Sequence, residues 1–181
     1  MNNTVNAMLQ SVRSHQYPMN FDESLWRYKQ NPELQTDTNC FLYGFGIDVP
    51  VKDHKFGYPG TATSPYHIPY NWDQSCDQQV IERIKKDAEF YGFTTTTAIG
   101  ALQLVVMVKH RLNFLHDTND GIRDVHIVRR DADGGYSEKN GWNQNEDALL
   151  PRRVEFPDGI KSGAQHGGYT ILDVLNFEPT F

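Results

Sequence analysis

The chain has 181 residues, of which 38% are hydrophobic and 12% aromatic, enough apolar matter for one real core and too much for a disordered chain. We read it as a single domain over 1–181. Its 17 Lys and Arg stand against 23 Asp and Glu, a net charge of −6 that argues against the phosphate backbone of a nucleic acid as partner.

Val5, Met8, Leu9 and Val12 recur at helical spacing, and Phe21 to Trp26 begins a second helical segment, with Pro18 and Pro32 separating the pieces. Thr36-Asp37-Thr38-Asn39 is a run of helix-capping residues before the apolar run Cys40-Phe41-Leu42-Tyr43-Gly44-Phe45-Gly46, so Cys40 is expected to open a short helix. Val49 to Trp72 carries Pro50, Pro59, Pro65 and Pro69 among several tyrosines and reads as an irregular connection, equally suited to framing a groove and to an aromatic-pinned surface loop. Asp73 to Tyr91 reads as a helix with Val80, Ile81, Ile84 and Ala88 on its apolar stripe and Gly92 as C-cap.

The period then changes. Ala101 to Val108 reads as a buried strand and Val125 to Arg130 as a half-buried one. Asp131 to Gly135 is a turn, with Tyr136 to Asn140 returning as hairpin partner, and further strands are expected near Val154 and over Tyr169 to Leu175. Helices first and antiparallel strands after them indicate an α+β domain. The longest apolar stretch, Ala101 to Val108, is too short to cross a bilayer, and the first twenty residues contain no apolar signal core. We therefore expect a soluble chain with no membrane partner and no signal peptide. Cys40 and Cys76 do not make a disulfide framework, so a reducing compartment with one or both thiols free is expected.

Most chemical motifs fail on inspection. Gly44-Phe45-Gly46 is followed by Val49 where a dinucleotide loop needs glycine, and no Gly-Lys-Ser/Thr occurs. Asp131-Ala132-Asp133-Gly134 starts like a calcium loop, but its twelfth position is Trp142. His110, His116, Asp117 and Asp120 lack the spacing of a metal site, so neither metal nor cofactor is expected.

What stays is a cysteine at a helix start and, far along the chain, a histidine on a strand, the residue types of a cysteine hydrolase. Exposed N–H groups at the start of the helix favour a thiolate at Cys40, and an imidazolium from His126 favours it further. Taken alone, each residue has a plainer reading: Cys40 as a small buried hydrophobe beside Phe41 and Leu42, His126 as an ordinary strand histidine. An imidazole that works in catalysis needs a polar partner to fix its tautomer. Glu138 follows His126 by 12 positions and faces it if the turn has three residues, whereas a two- or four-residue turn presents Ser137 or Lys139. Cys76 at a helix start is a rival nucleophile, and His166 a rival for His126.

Cys40, His126 and Glu138, in that order and spacing, resemble the NlpC-like branch of the papain-fold cysteine peptidases. Asn39-Cys40 with Tyr58-Pro59-Gly60, and the stretch from His126 to Gly141 (H-x-x-R-x-D-x-D-G-x-Y-S-x-K-x-G), are similar to segments of uncharacterised bacterial and phage proteins of that group. The glycine-rich stretch before the nucleophile is missing here, and Phe41-Leu42 stand where Ser-Gly is usual.

The resemblance implies a papain-like fold, with the nucleophile helix packed on an antiparallel sheet, and amide hydrolysis through Cys40, His126 and Glu138. It also implies an oxyanion contribution from Tyr28, about a dozen residues before the cysteine. The substrate it implies is a peptidoglycan stem or cross-link peptide. The enzyme would then be cytoplasmic where it is made and would reach a wall through a specialised secretion system or lysis. An effector-type protease or deamidase acting on a target protein is the second enzymatic reading, for which a cognate inhibitor protein is a further expected partner. A non-catalytic domain binding a basic partner is the third.

Overall fold

A computed structural model of the chain describes residues 3–52, 54–62, 76–110, 122–140 and 149–181. Three helices open it: α1 (Asn3–Arg13), α2 (Phe21–Gln30) and α3 (Pro32–Asp37). Asn20 caps α2 by accepting from the Glu23 N–H, and Asn31, before Pro32, caps α3 by accepting from the Glu33 N–H. Helix α4 (Cys40–Gly44) follows, then a 3-10 turn (His54–Gly57) and the long helix α5 (Cys76–Tyr91). Residues 73–75, expected as the first turn of α5, lie outside the described residues, as do 63–72 of the proline-rich connection.

The sheet contains β1 (Phe93–Thr96), β2 (Leu102–His110), β3 (Ile122–Arg130), β4 (Tyr136–Glu138), β5 (Arg152–Val154), β6 (Gln165–His166) and β7 (Tyr169–Pro179). Its order is β1-β7-β2-β3-β4-β5, antiparallel throughout, with β6 paired to β7. Strands β1 and β6 are absent from the sequence reading, and the hairpin partner of β3 ends at Glu138 instead of Asn140. The α+β class is borne out.

Alternation along β2 explains its unbroken burial. Leu104, Val106 and Val108 pack with Phe41, Val80, Ile84 and Tyr91 of the helices and with Phe45 just after α4, while Val105 and Met107 pack on the other face with Val128 and Ile171. Helix α4 lies on β3 at very close range. A Cβ at Gly44 would stand 2.9 Å from Ile127 Cγ2, so any larger residue there would force Ile127 to shift. Among the described residues no helix is long and apolar enough to cross a membrane.

Candidate active site

Cys40 is the first residue of α4 and 7% exposed. Asn39 caps that helix by accepting from the Leu42 N–H at 3.0 Å, and its own amide donates to the Gly57 carbonyl at 2.6 Å. The residue before the cysteine thus ties the start of α4 to the 3-10 turn. Cys40 Sγ lies 3.8 Å from the Val125 carbonyl oxygen, which places the thiol against the backbone of β3 one residue before His126. Cys40 and Cys76 are both free.

His126 is 8% exposed and Glu138 4%. Their side chains meet at 2.7 Å, His126 Nε2 to Glu138 Oε2. The route to this contact differs from the expected one. The hairpin does close on a three-residue loop, Ala132 to Gly134, through the Asp131 N–H donating to the Gly135 carbonyl. That loop is centred one residue later than a direct His126–Glu138 pairing needs, and it turns through Gly134 at φ +84°. Arg130 pairs with Tyr136 and Arg129 with Ser137, so the same register sets Glu138 opposite Val128. Glu138 shares a face with His126 and reaches it diagonally, two residues along the strand.

The second oxygen of Glu138 is held by a residue the sequence reading missed. Arg152 on β5 donates from Nε at 2.8 Å and Nη2 at 2.5 Å to Glu138 Oε1. Burial alone would raise the Glu138 pKa, but the hydrogen bonds and charges of His126 and Arg152 outweigh it and hold the carboxyl below its ordinary range. Burial alone would likewise lower His126. The charge and hydrogen bond of Cys40, and then those of Glu138, push the imidazole up to about 10. With Nε2 engaged by Glu138, Nδ1 is the nitrogen left for Cys40.

Tyr169 completes the surroundings of the imidazole. Its ring lies 5.4 Å from that of His126, and its hydroxyl donates to Asp124 Oδ2 at 2.5 Å. Burial and the Asp124 carboxylate hold that phenol well above its ordinary pKa, hence protonated.

Odd-numbered residues of the same hairpin point the other way, beneath α4. Arg129 is fully buried over the Tyr43 ring and donates to the Tyr43 carbonyl, Tyr43 Oη, Ser24 Oγ and Asp131 Oδ1. Ser137 Oγ is hydrogen-bonded to Tyr43 Oη at 2.8 Å, and Lys139 Nζ donates to the Thr38 carbonyl at 2.6 Å. The alternating His-x-x-Arg-x-Asp stretch and its Ser-x-Lys return therefore split into a titratable face and a buried polar layer that seats α4.

Tyr28 is 2% exposed, packed edge-on against Tyr43, and its hydroxyl is hydrogen-bonded to Thr38 Oγ1 at 3.1 Å, beside the segment leading into Cys40. His166 packs its ring on Phe156 at 4.7 Å, and His110 pairs with Asp77 at 2.7 Å. His116, Asp117, Asp120 and Trp142, together with Tyr66, Tyr70 and Trp72 of the connection, lie outside the described residues. No family model, curated protein or solved structure matches the chain.

Proposed function

We propose that this chain is a cysteine hydrolase that cleaves an amide bond, with the peptide of peptidoglycan as its substrate class. The observation that carries the reading is the position of His126, buried with the Glu138 carboxylate 2.7 Å from Nε2 and with the Cys40 thiol against the carbonyl of the preceding residue, Val125. An imidazole held up at about 10 by these two groups is protonated at neutral pH, the form a cysteine hydrolase needs beside its nucleophile.

The Cys40 thiolate attacks the carbonyl carbon and forms a C–S bond, and the oxyanion that develops takes a hydrogen bond from the Cys40 backbone N–H in the first turn of α4. His126 gives its proton to the leaving amine as the C–N bond breaks, which leaves a thioester and a neutral imidazole. The same imidazole then takes a proton from water. The hydroxide adds to the thioester, the C–S bond breaks, and the acid departs as the thiolate–imidazolium pair is restored. Glu138 holds the tautomer and stabilises the imidazolium, and Arg152 holds Glu138. The substrate class rests on the family resemblance of the segments around Cys40 and His126, and access to a wall would come through a specialised secretion system or lysis.

Purified wild-type protein incubated with muropeptides and followed by mass spectrometry tests this directly. Cleavage at one amide bond by the wild type, and by neither Cys40→Ala nor His126→Ala, is expected. Intact muropeptides beside a reactive Cys40 thiolate would remove the substrate class. A Cys40 that alkylates like a free thiol would remove the hydrolase.

A further inference from the structure

Lys139 neighbours Glu138 on the hairpin, yet its side chain turns under α4 and is 0% exposed. Nζ donates to the Thr38 carbonyl at 2.6 Å and to the Asn140 carbonyl at 3.2 Å, with the Tyr28 ring 6.0 Å away. Carbonyls carry only partial charge, and among the described residues no carboxylate pairs with this ammonium. A buried cation without an anion is strongly unfavourable. Burial accordingly lowers Lys139 to about 8, and the charge of Cys40 works against that fall. Thr38 stands two residues before Cys40, so the ammonium sits at the root of α4.

That helix is five residues long, a single turn, and its macrodipole supplies only a small part of what a thiolate needs. A full positive charge at the same place supplies more. We infer that Lys139 is a positioning residue for the candidate nucleophile: a second buried cation, beside His126, that favours the Cys40 thiolate by its charge and fixes the backbone leading into Cys40 through the Thr38 carbonyl. This rests on the hydrolase reading and adds to it an electrostatic partner outside the Cys40–His126–Glu138 set. The titratable groups surrounding the pair are His126 on β3, Glu138 on β4, Tyr28 on α2 and Tyr169 on β7.

The test is the pH dependence of iodoacetamide alkylation at Cys40, by peptide mapping, in wild type, Lys139→Met and His126→Ala. Methionine fills the volume without the charge, so Lys139→Met is expected to fold. Its thiolate fraction at about pH 6 is expected to fall about tenfold below wild type. A second measurement does not depend on that variant folding: the Lys139 Nζ titration by NMR in wild type and in Cys40→Ala, where loss of the thiolate lowers the lysine pKa. An unchanged thiolate fraction in folded Lys139→Met, or an unchanged lysine titration in Cys40→Ala, overturns this role. If His126→Ala still abolishes the thiolate in that case, the hydrolase reading stands without Lys139. A wild-type Cys40 that titrates near the free-thiol value of about 8.5 ends both.

Discussion

Glu138 divides its two oxygens between His126 Nε2, at 2.7 Å, and the fork of Arg152, whose Nε and Nη2 both reach Oε1. The carboxylate is thereby fixed in plane before it meets the imidazole. Glu138→Gln keeps an acceptor but removes the charge, so the His126 pKa is expected to drop from about 10 and kcat/KM on a cleaved muropeptide to fall roughly tenfold to hundredfold. Arg152 is 60% exposed, so Arg152→Ala should cost under about tenfold. NMR titration of the imidazole and steady-state kinetics, run on both variants, check the order.

Asp87 governs a pH response elsewhere in the fold. It sits fully buried on α5 and accepts the Gly60 and Ala62 N–H groups, which pins the connection before α5 to that helix. Burial outweighs those hydrogen bonds and raises its pKa to about 7. A group whose folded pKa lies above its unfolded one binds its proton more tightly when folded, so its contribution is full below about pH 4 and is lost as pH rises through about 7. The associated slope is at most about 1.4 kcal/mol per pH unit. Urea unfolding of wild type and Asp87→Asn across that window should show the slope in the first and a flatter line in the second.

Gly44 lets α4 rest on β3. Gly44→Ala would press a methyl into Ile127 Cγ2 at 2.9 Å and should lower stability by about 1–2 kcal/mol, despite the better helix propensity of alanine. Because Ile127 is the obstacle, Ile127→Ala should cost less in the Gly44→Ala background than in wild type. A double-mutant cycle by denaturant unfolding reads that coupling.

Arg129→Met should destabilise by about 3–5 kcal/mol, since it leaves the buried Asp131 carboxylate with Arg153 as its remaining cation and strips Tyr43 of two donors. Adding Asp131→Asn should recover part of the loss. Thermal unfolding of the single and double variants measures both.

Local signals were legible in the chain and long-range ones were not. Asn39 before Cys40 acts within one turn of helix, so cap and helix start are readable from adjacent letters. His126 and Glu138 lie an even number of residues apart, which puts them on one face only if the loop has an odd number of residues, and their register depends on where Gly134 lets the chain turn. The burial of Arg129 and Lys139 has no local mark. Charged residues normally read as solvated, and their acceptors at Tyr43 and Thr38 come from distant parts of the chain. Arg152 reaches Glu138 from β5, and nothing near it in sequence announces a partner. The run Phe93–Thr96 carries three threonines and no apolar alternation, yet it pairs with the end of β7 as an edge strand.

The loop Ala132 to Gly134 holds the hairpin to one parity. Adding or deleting a single residue there would exchange the two faces of the returning strand, sending Ser137 and Lys139 toward the imidazole and Glu138 beneath α4. A change of two residues would preserve parity and shift the carboxylate only along its own face. Length variation at this loop is therefore tolerable in even steps alone, a constraint on insertions that no individual side chain reveals.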